Sequence, residues 1–299
     1  MTNTVAGAVV VRACTEWKCC ACEKNFVQRV ASRRPTYEPA IMNACNSLVV
    51  FSDLDGTLLD HHTYSWSAAW PALDLLRRIN APLVLSSSKT AVEIAEIQAD
   101  LGIVGTPAIV ENGAGLLTDQ PDDAGTYAQL LDVLNGLPDD LRQGFEGFGD
   151  MDVERVSEIT GLDAAGAKAA KARAFSEPGL WSGTDDGRVK FIAGLAARGV
   201  SAREGGRFLT LSFGATKADG MAQIVARLKP HHTIALGDAP NDVEMLNAAD
   251  FGVIVANPTR QPLPQLPGES TGRIFRTTLP GPAGWNEAVL RLVEQLGLH

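Results

Sequence analysis

The sequence predicts an α/β fold, a doubly wound parallel-sheet core that carries an inserted α+β domain. Three observations lead there. Short apolar runs each end in a polar loop, stretches of helical period separate them, and this rhythm stops in mid-chain and then resumes. Leu48-Val49-Val50-Phe51 is the first run, unbroken as in a strand buried on both faces. It ends in Ser52-Asp53-Leu54-Asp55-Gly56-Thr57. A helix is expected from Trp66 to Ile79, with Ala69, Leu73, Leu76 and Ile79 at helical spacing. Pro82 to Leu85 is the second strand, closed by Ser86-Ser87-Ser88-Lys89-Thr90. Ala91 to Leu101 is its helix, and Ala108 to Val110 the third strand, ending at Glu111-Asn112-Gly113. Such strand–helix alternation with short links implies right-handed crossovers.

Residues 115–207 lose the rhythm. They hold turns (Pro121-Asp122-Asp123, Gly144 to Asp150), an Ala/Lys-rich helix around Ala164 to Ala174 and a helix near Arg188 to Arg198. The core pattern returns with a helix from Lys217 to Leu228, a strand from Thr233 to Leu236 and a helix from Asp242 to Ala248. A strand from Phe251 to Val255 and a last helix from Trp285 to Leu296 complete it. The expected division is therefore an extension over residues 1–45, a core from 46–114 and 208–299, and an inserted domain over 115–207. The five cysteines, Cys14, Cys19, Cys20, Cys22 and Cys45, all precede the first core strand. Cys19-Cys20-Ala21-Cys22 lacks the repeated C-x-x-C pairing of zinc clusters, so no metal is expected there.

With 45% hydrophobic and 20% charged residues, the 299-residue chain has the balance of a folded soluble protein. Its net charge of −9 argues against nucleic acid or an anionic membrane as partner. A local cation can still admit an anionic ligand. No apolar run approaches the roughly 20 residues that span a bilayer. The apolar start carries Arg12 and no clear small-residue cleavage site, so a cytoplasmic protein is expected.

Ligands of open parallel sheets gather at the carboxyl ends of the strands, and four polar motifs stand there. Asp53 and Asp55 place two carboxylates where like charges raise one another's pKa unless a cation neutralises them. A hard divalent ion such as Mg²⁺, held by oxygen ligands, would do so. One carboxylate could then act as nucleophile and the other manage protons. One of Ser86, Ser87 and Ser88 could donate to an anion at the following helix N-terminus, although a serine there also serves as an N-cap. Lys217 at a helix start is electrostatically unusual without an anionic neighbour. Gly237-Asp238-Ala239-Pro240-Asn241-Asp242 adds two acids suited to a cation, directly or through their neighbours.

In order and spacing the four motifs resemble the signatures of haloacid-dehalogenase-superfamily phosphatases. The resemblance implies Asp53 as nucleophile, Asp55 as general acid/base, Lys217 as charge anchor, and Asp53, Asp55, Asp238 and Asp242 around Mg²⁺. It implies a single motif-two phosphate donor, and the distance to Lys89-Thr90 favours Ser87. An insert between the second and third motifs is similar to the cap of subclass IIB. Ser88-Lys89-Thr90, Glu111-Asn112-Gly113, Arg173 to Pro178, Gly205 to Phe208 and Gly281 to Asn286 resemble the mannosyl-3-phosphoglycerate phosphatases of that subclass. The implied reaction is hydrolysis of 2-O-mannosyl-3-phosphoglycerate through an aspartyl-phosphate. Arg173 and Arg207 are then candidates for the substrate carboxylate, with a surface or interdomain salt bridge as the alternative reading. Glu111, Asn112 and Glu177 are candidates for sugar hydroxyls. The rival expectations are a phosphatase for glucosyl-3-phosphoglycerate or another sugar phosphate, and a non-catalytic sugar-phosphate-binding protein.

Overall fold

The structure, a computed structural model, describes residues 47–118, 125–205 and 207–298. The cysteines, the turn at Pro121-Asp122-Asp123 and the expected extension up to residue 45 lie outside the described residues. The described residues form eleven strands: β1 (Leu48–Ser52), β2 (Leu83–Leu85), β3 (Ala108–Val110), β4 (Gly115–Leu117), β5 (Phe145–Gly147), β6 (Glu177–Trp181), β7 (Ser201–Gly205), β8 (Phe208–Ser212), β9 (His232–Gly237), β10 (Phe251–Ala256) and β11 (Ile274–Pro280). A parallel sheet runs in the order β11-β10-β9-β1-β2, and β3 follows β2 through one parallel bridge, Ser86 to Ile109.

Alternation along β1 explains the layering. Leu48 and Val50 join one buried cluster with Leu73, Leu76, Ile94 and Trp285, from helices Trp70–Arg78, Ala91–Leu101 and Gly281–Gln295. Val49 and Phe51 join another with Met221, Ile224 and Met245, from helices Lys217–Leu228 and Val243–Ala248. With side chains of period two and helices on both faces, the strand has no solvated side, which is why its sequence is unbroken apolar. Each such side chain contributes about 1.5–3 kcal/mol on burial. The fold is the expected doubly wound α/β core.

A second sheet, antiparallel, runs β5-β6-β8-β7 and packs on helices Thr126–Asn135 and Asp185–Ala196 through Leu130, Leu134, Phe191 and Leu195. Its central strand β8 carries this sheet on to Ser212, past the expected boundary at residue 207. Strand β11 was not expected. It lies at the edge of the parallel sheet and buries fully only Ile274, so its sequence lacks the apolar run that marks its neighbours. The Gly281-to-Asn286 motif has a packing role. Trp285 Nε1 donates to Ser52 Oγ at 2.9 Å, and Asn286 Oδ1 accepts from Ala72 N at 2.9 Å. A Cβ on Gly284 would stand 2.0 Å from the Leu279 carbonyl.

Candidate active site

The motifs meet at the carboxyl ends of β1, β2 and β9. Asp53 directly follows β1, and its N–H donates to Leu236 O at 2.9 Å, so the β1–β9 pairing aims the side chain over the sheet edge. Gly56, at φ 86°, turns the chain where a Cβ would lie 2.3 Å from Asn257 Nδ2. Lys217 opens a helix whose start is secured by a reciprocal cap between Thr216 and Asp219. Its side chain is 0% exposed, and Nζ donates to Asp53 Oδ1 at 2.6 Å and to Asp242 Oδ1 at 2.7 Å. Asp242 Oδ2 accepts from the N–H groups of Asp238 and Ala239 at 3.0 and 2.9 Å. Asp238 accepts from Thr57 Oγ1 at 2.9 Å and Asn257 Nδ2 at 2.8 Å, with Arg260 Nε at 3.4 Å.

Oxygens of Asp53, Asp238 and Asp242 lie within 4.8 Å of one another, all three residues being buried. One ammonium does not balance three carboxylates. Burial pushes the Asp53 carboxyl well above the ordinary range; Lys217 opposes the rise, and Asp242, Asp238 and Asp55 add to it. Burial likewise raises Asp238, against the hydrogen bonds from Asn257 and Thr57. Burial disfavours the charge on Lys217, but Asp242 and Asp53 outweigh it and hold the ammonium above its usual range. The cluster therefore has the donor set, and an unbalanced negative charge, for a hard divalent cation.

The Asp55 carboxylate lies outside this group of three. Its Oδ2 is paired with Lys89 Nζ at 3.1 Å. Its Oδ1 is buried with no hydrogen-bond partner among the described residues. Lys89 in turn lies over the Tyr64 ring, 5.4 Å from its centroid. In the serine run, Ser88 is exposed while Ser86 and Ser87 are buried; Ser87 Oγ accepts from Lys89 N at 3.3 Å, and Ser86 Oγ has no partner among the described residues.

The other expected ligand-binding residues divide. Arg173 and Glu111 are spent on each other, with Nε to Oε2 at 3.2 Å and side chains 5% and 0% exposed. The pair has the geometry that the salt-bridge alternative expects. Removing one partner of such a pair strands the other, at about 3–5 kcal/mol. Glu177 is buried and accepts from Tyr127 OH and Gly149 N, each at 2.7 Å, which turns it inward. Asn112 Oδ1 accepts from Asn241 Nδ2 at 3.0 Å. Arg207 is exposed and donates to the carbonyls of Ile159 and Thr160 at 2.9 and 3.3 Å, and its charge reaches Tyr64. Lys89, Tyr64, Asn257 and Arg260 were missed as site residues. The sequence signals for Lys89 are its place in the loop after the second strand and the Ser88-Lys89-Thr90 motif.

The chain belongs to the haloacid dehalogenase-like hydrolases, whose family model matches residues 48–250. Among solved structures it resembles the sucrose-phosphatase of Synechocystis sp. PCC6803, determined with sucrose and phosphate, at 14% identity and a TM-score of 0.55 over 84% of this chain and 98% of that one. A subclass IIB sugar phosphatase of the same superfamily matches at 15% identity and a TM-score of 0.54, over 84% and 99%. A haloacid dehalogenase-like hydrolase from Bacteroides thetaiotaomicron matches at 18% and 0.57, over 83% and 99%. These likenesses are of fold. Among the described residues no helix is long and apolar enough to cross a membrane.

Proposed function

We propose that this hydrolase is a Mg²⁺-dependent phosphatase of small phosphorylated sugar derivatives, with Asp53 as nucleophile. The observation that carries the reading is the buried cluster in which Lys217 bridges Asp53 and Asp242 beside Asp238. Asp53, Asp55, Asp238 and Asp242 would hold Mg²⁺, which when bound supplies positive charge to the transferring phosphoryl group. An Asp53 oxygen attacks phosphorus, the bond from phosphorus to the leaving oxygen breaks, and Asp55 gives that oxygen its proton. Water then attacks the same phosphorus while Asp55 takes its proton, which frees Asp53 and inorganic phosphate. Lys217 orients Asp53 and offsets charge, and Ser87 is the proposed phosphate donor. The inserted segment, with its antiparallel sheet, is the proposed cap.

For the substrate, the sequence resemblance favours 2-O-mannosyl-3-phosphoglycerate, and a glucosyl-3-phosphoglycerate or another sugar phosphate is the alternative. The sugar phosphatases among the structural relatives support the wider class. The test is phosphate release from a panel of sugar phosphates and p-nitrophenyl phosphate. Chelation should abolish release and added Mg²⁺ restore it; release that survives exhaustive chelation would refute the metal dependence. Arg173 and Arg207 are the proposed carboxylate ligands, and Arg207, the more exposed of the two, gives the cleaner test. Arg207→Ala should lower kcat/KM for a phosphoglycerate glycoside by about one to two decades, the equivalent of roughly 1.5–3 kcal/mol for a charge-assisted bond. The loss on p-nitrophenyl phosphate should be much smaller, and equal losses would remove Arg207 from substrate recognition.

A further inference from the structure

Glu111 opens a turn that touches the Ser87–Lys89 loop, the start of helix Lys217–Leu228 and Asn241. Glu111 and Asn112 both take left-handed φ values, 51° and 61°, ahead of Gly113 at 96°. Two successive non-glycine residues in that region persist only where their surroundings hold them. On the core side, Glu111 N donates to Lys89 O at 3.0 Å and Asn112 N to Ser87 O at 2.8 Å. Gly113 packs where a Cβ would stand 2.0 Å from the Thr216 carbonyl and 2.4 Å from Lys217 N. Asn241, between Asp238 and Asp242, reaches Asn112. On the other side, Glu111 Oε1 accepts from Ala174 N at 2.8 Å. Its Oε2 accepts from Phe175 N at 3.2 Å and Ser176 Oγ at 2.7 Å, and pairs with Arg173 Nε at 3.2 Å. Arg173 Nη1 also donates to Ser88 O at 3.2 Å.

A carboxylate offers about four lone-pair sites. The segment 173–176 supplies three hydrogen bonds to them, one on Oε1 and two on Oε2, and the Arg173 guanidinium adds its charge beside Oε2. We propose that Glu111 is a positioning residue that locks segment 173–176 in register with the turn that seats Ser87 and Lys217. A shift of the segment that feeds β6 is thereby passed to the groups around Asp53. The catalytic part of this role rests on the phosphatase reading; the mechanical coupling does not.

The test is Glu111→Gln, which keeps the shape but replaces an acceptor oxygen with a donor facing other donors. It is assayed well below its melting temperature, with kinetics and hydrogen exchange read together. The expected result on p-nitrophenyl phosphate is a kcat at least about tenfold lower with KM within about threefold, since reacting groups are displaced while phosphate can still bind. Exchange should rise together in residues 174–176 and in the first turn of helix Lys217–Leu228. A folded variant with kcat within about twofold of wild type would overturn the proposal. So would a rise in exchange confined to 174–176, or a KM increase for the sugar phosphate alone, which would return Glu111 to substrate binding. If Glu111→Gln does not fold, Ser176→Ala removes one donor only. It should show the same paired rise in exchange, and none at the helix start would overturn the coupling. A wild type that releases phosphate from no ester would sink the functional reading, while the exchange measurement still decides the coupling.

Discussion

Asp53→Asn is expected to lower kcat by roughly four decades or more while the protein stays folded, because the amide keeps the shape of the nucleophile without its charge. The fold should tolerate the change for a reason visible in the site. The amide oxygen of the substituted side chain can still accept from Lys217 Nζ, where the Asp53 carboxylate accepts at 2.6 Å. Burial already disfavours the charged form of Asp53, and Asp242, Asp238 and Asp55 add repulsion. Removing one negative charge from this cluster relieves it. The metal-free variant should therefore melt at or above the wild-type temperature. The gain in melting temperature on adding Mg²⁺ should shrink, since a bound ligand stabilises as RT ln(1 + [L]/Kd) and the substitution removes a ligand oxygen. Activity within tenfold of wild type would reject Asp53 as nucleophile. An undiminished Mg²⁺-induced shift would remove it from the metal site.

Lys217→Met should be costly in both stability and rate. The methionine fills similar space but leaves Asp53 Oδ1 and Asp242 Oδ1 without their shared donor. Stranding buried charge in this way costs about 3–5 kcal/mol. Loss of a positive group that acts where charge develops lowers kcat by about 10²–10³. The stability loss should depend on pH with a definite sign. Without the ammonium, the Asp53 carboxyl, already raised by burial, takes a folded pKa further above that of the unfolded chain. The folded state then holds more protons than the unfolded one over the window between the two values. Stability falls as pH rises through that window and recovers as pH is lowered toward the ordinary carboxylate range. Urea unfolding of metal-free protein at pH 5 and pH 8 reads this directly. A deficit relative to wild type that is no smaller at the lower pH would contradict the electrostatic account.

The parallel core and its four polar loops were legible because their signals are local. Leu48 to Phe51 announces a strand covered on both faces without reference to the rest of the chain. Helices Ala91–Leu101 and Lys217–Leu228 have the expected bounds because each starts at a threonine whose hydroxyl accepts the N–H three residues on. Strand β11 was hidden by the same logic, since an edge strand with one fully buried residue carries no apolar run. Its place depends on β10 offering a free edge.

What the sequence by itself determined is which groups stand at the carboxyl ends of the strands: Asp53, Asp55, the serines, Lys217, Asp238 and Asp242. Strand period and loop position impose that much. What only the tertiary structure decided is what each group faces. Arg173 and Glu111 read equally well as ligands for a carboxylate and a sugar, and the fold pairs them with each other. Asp55 read as a partner of Asp53, and the fold turns its carboxylate to Lys89. A charged side chain carries the same hydrogen-bonding capacity wherever it lies. The partner is chosen when distant segments pack, because a buried charge must find its counter-charge among the groups that the topology brings within about 4 Å.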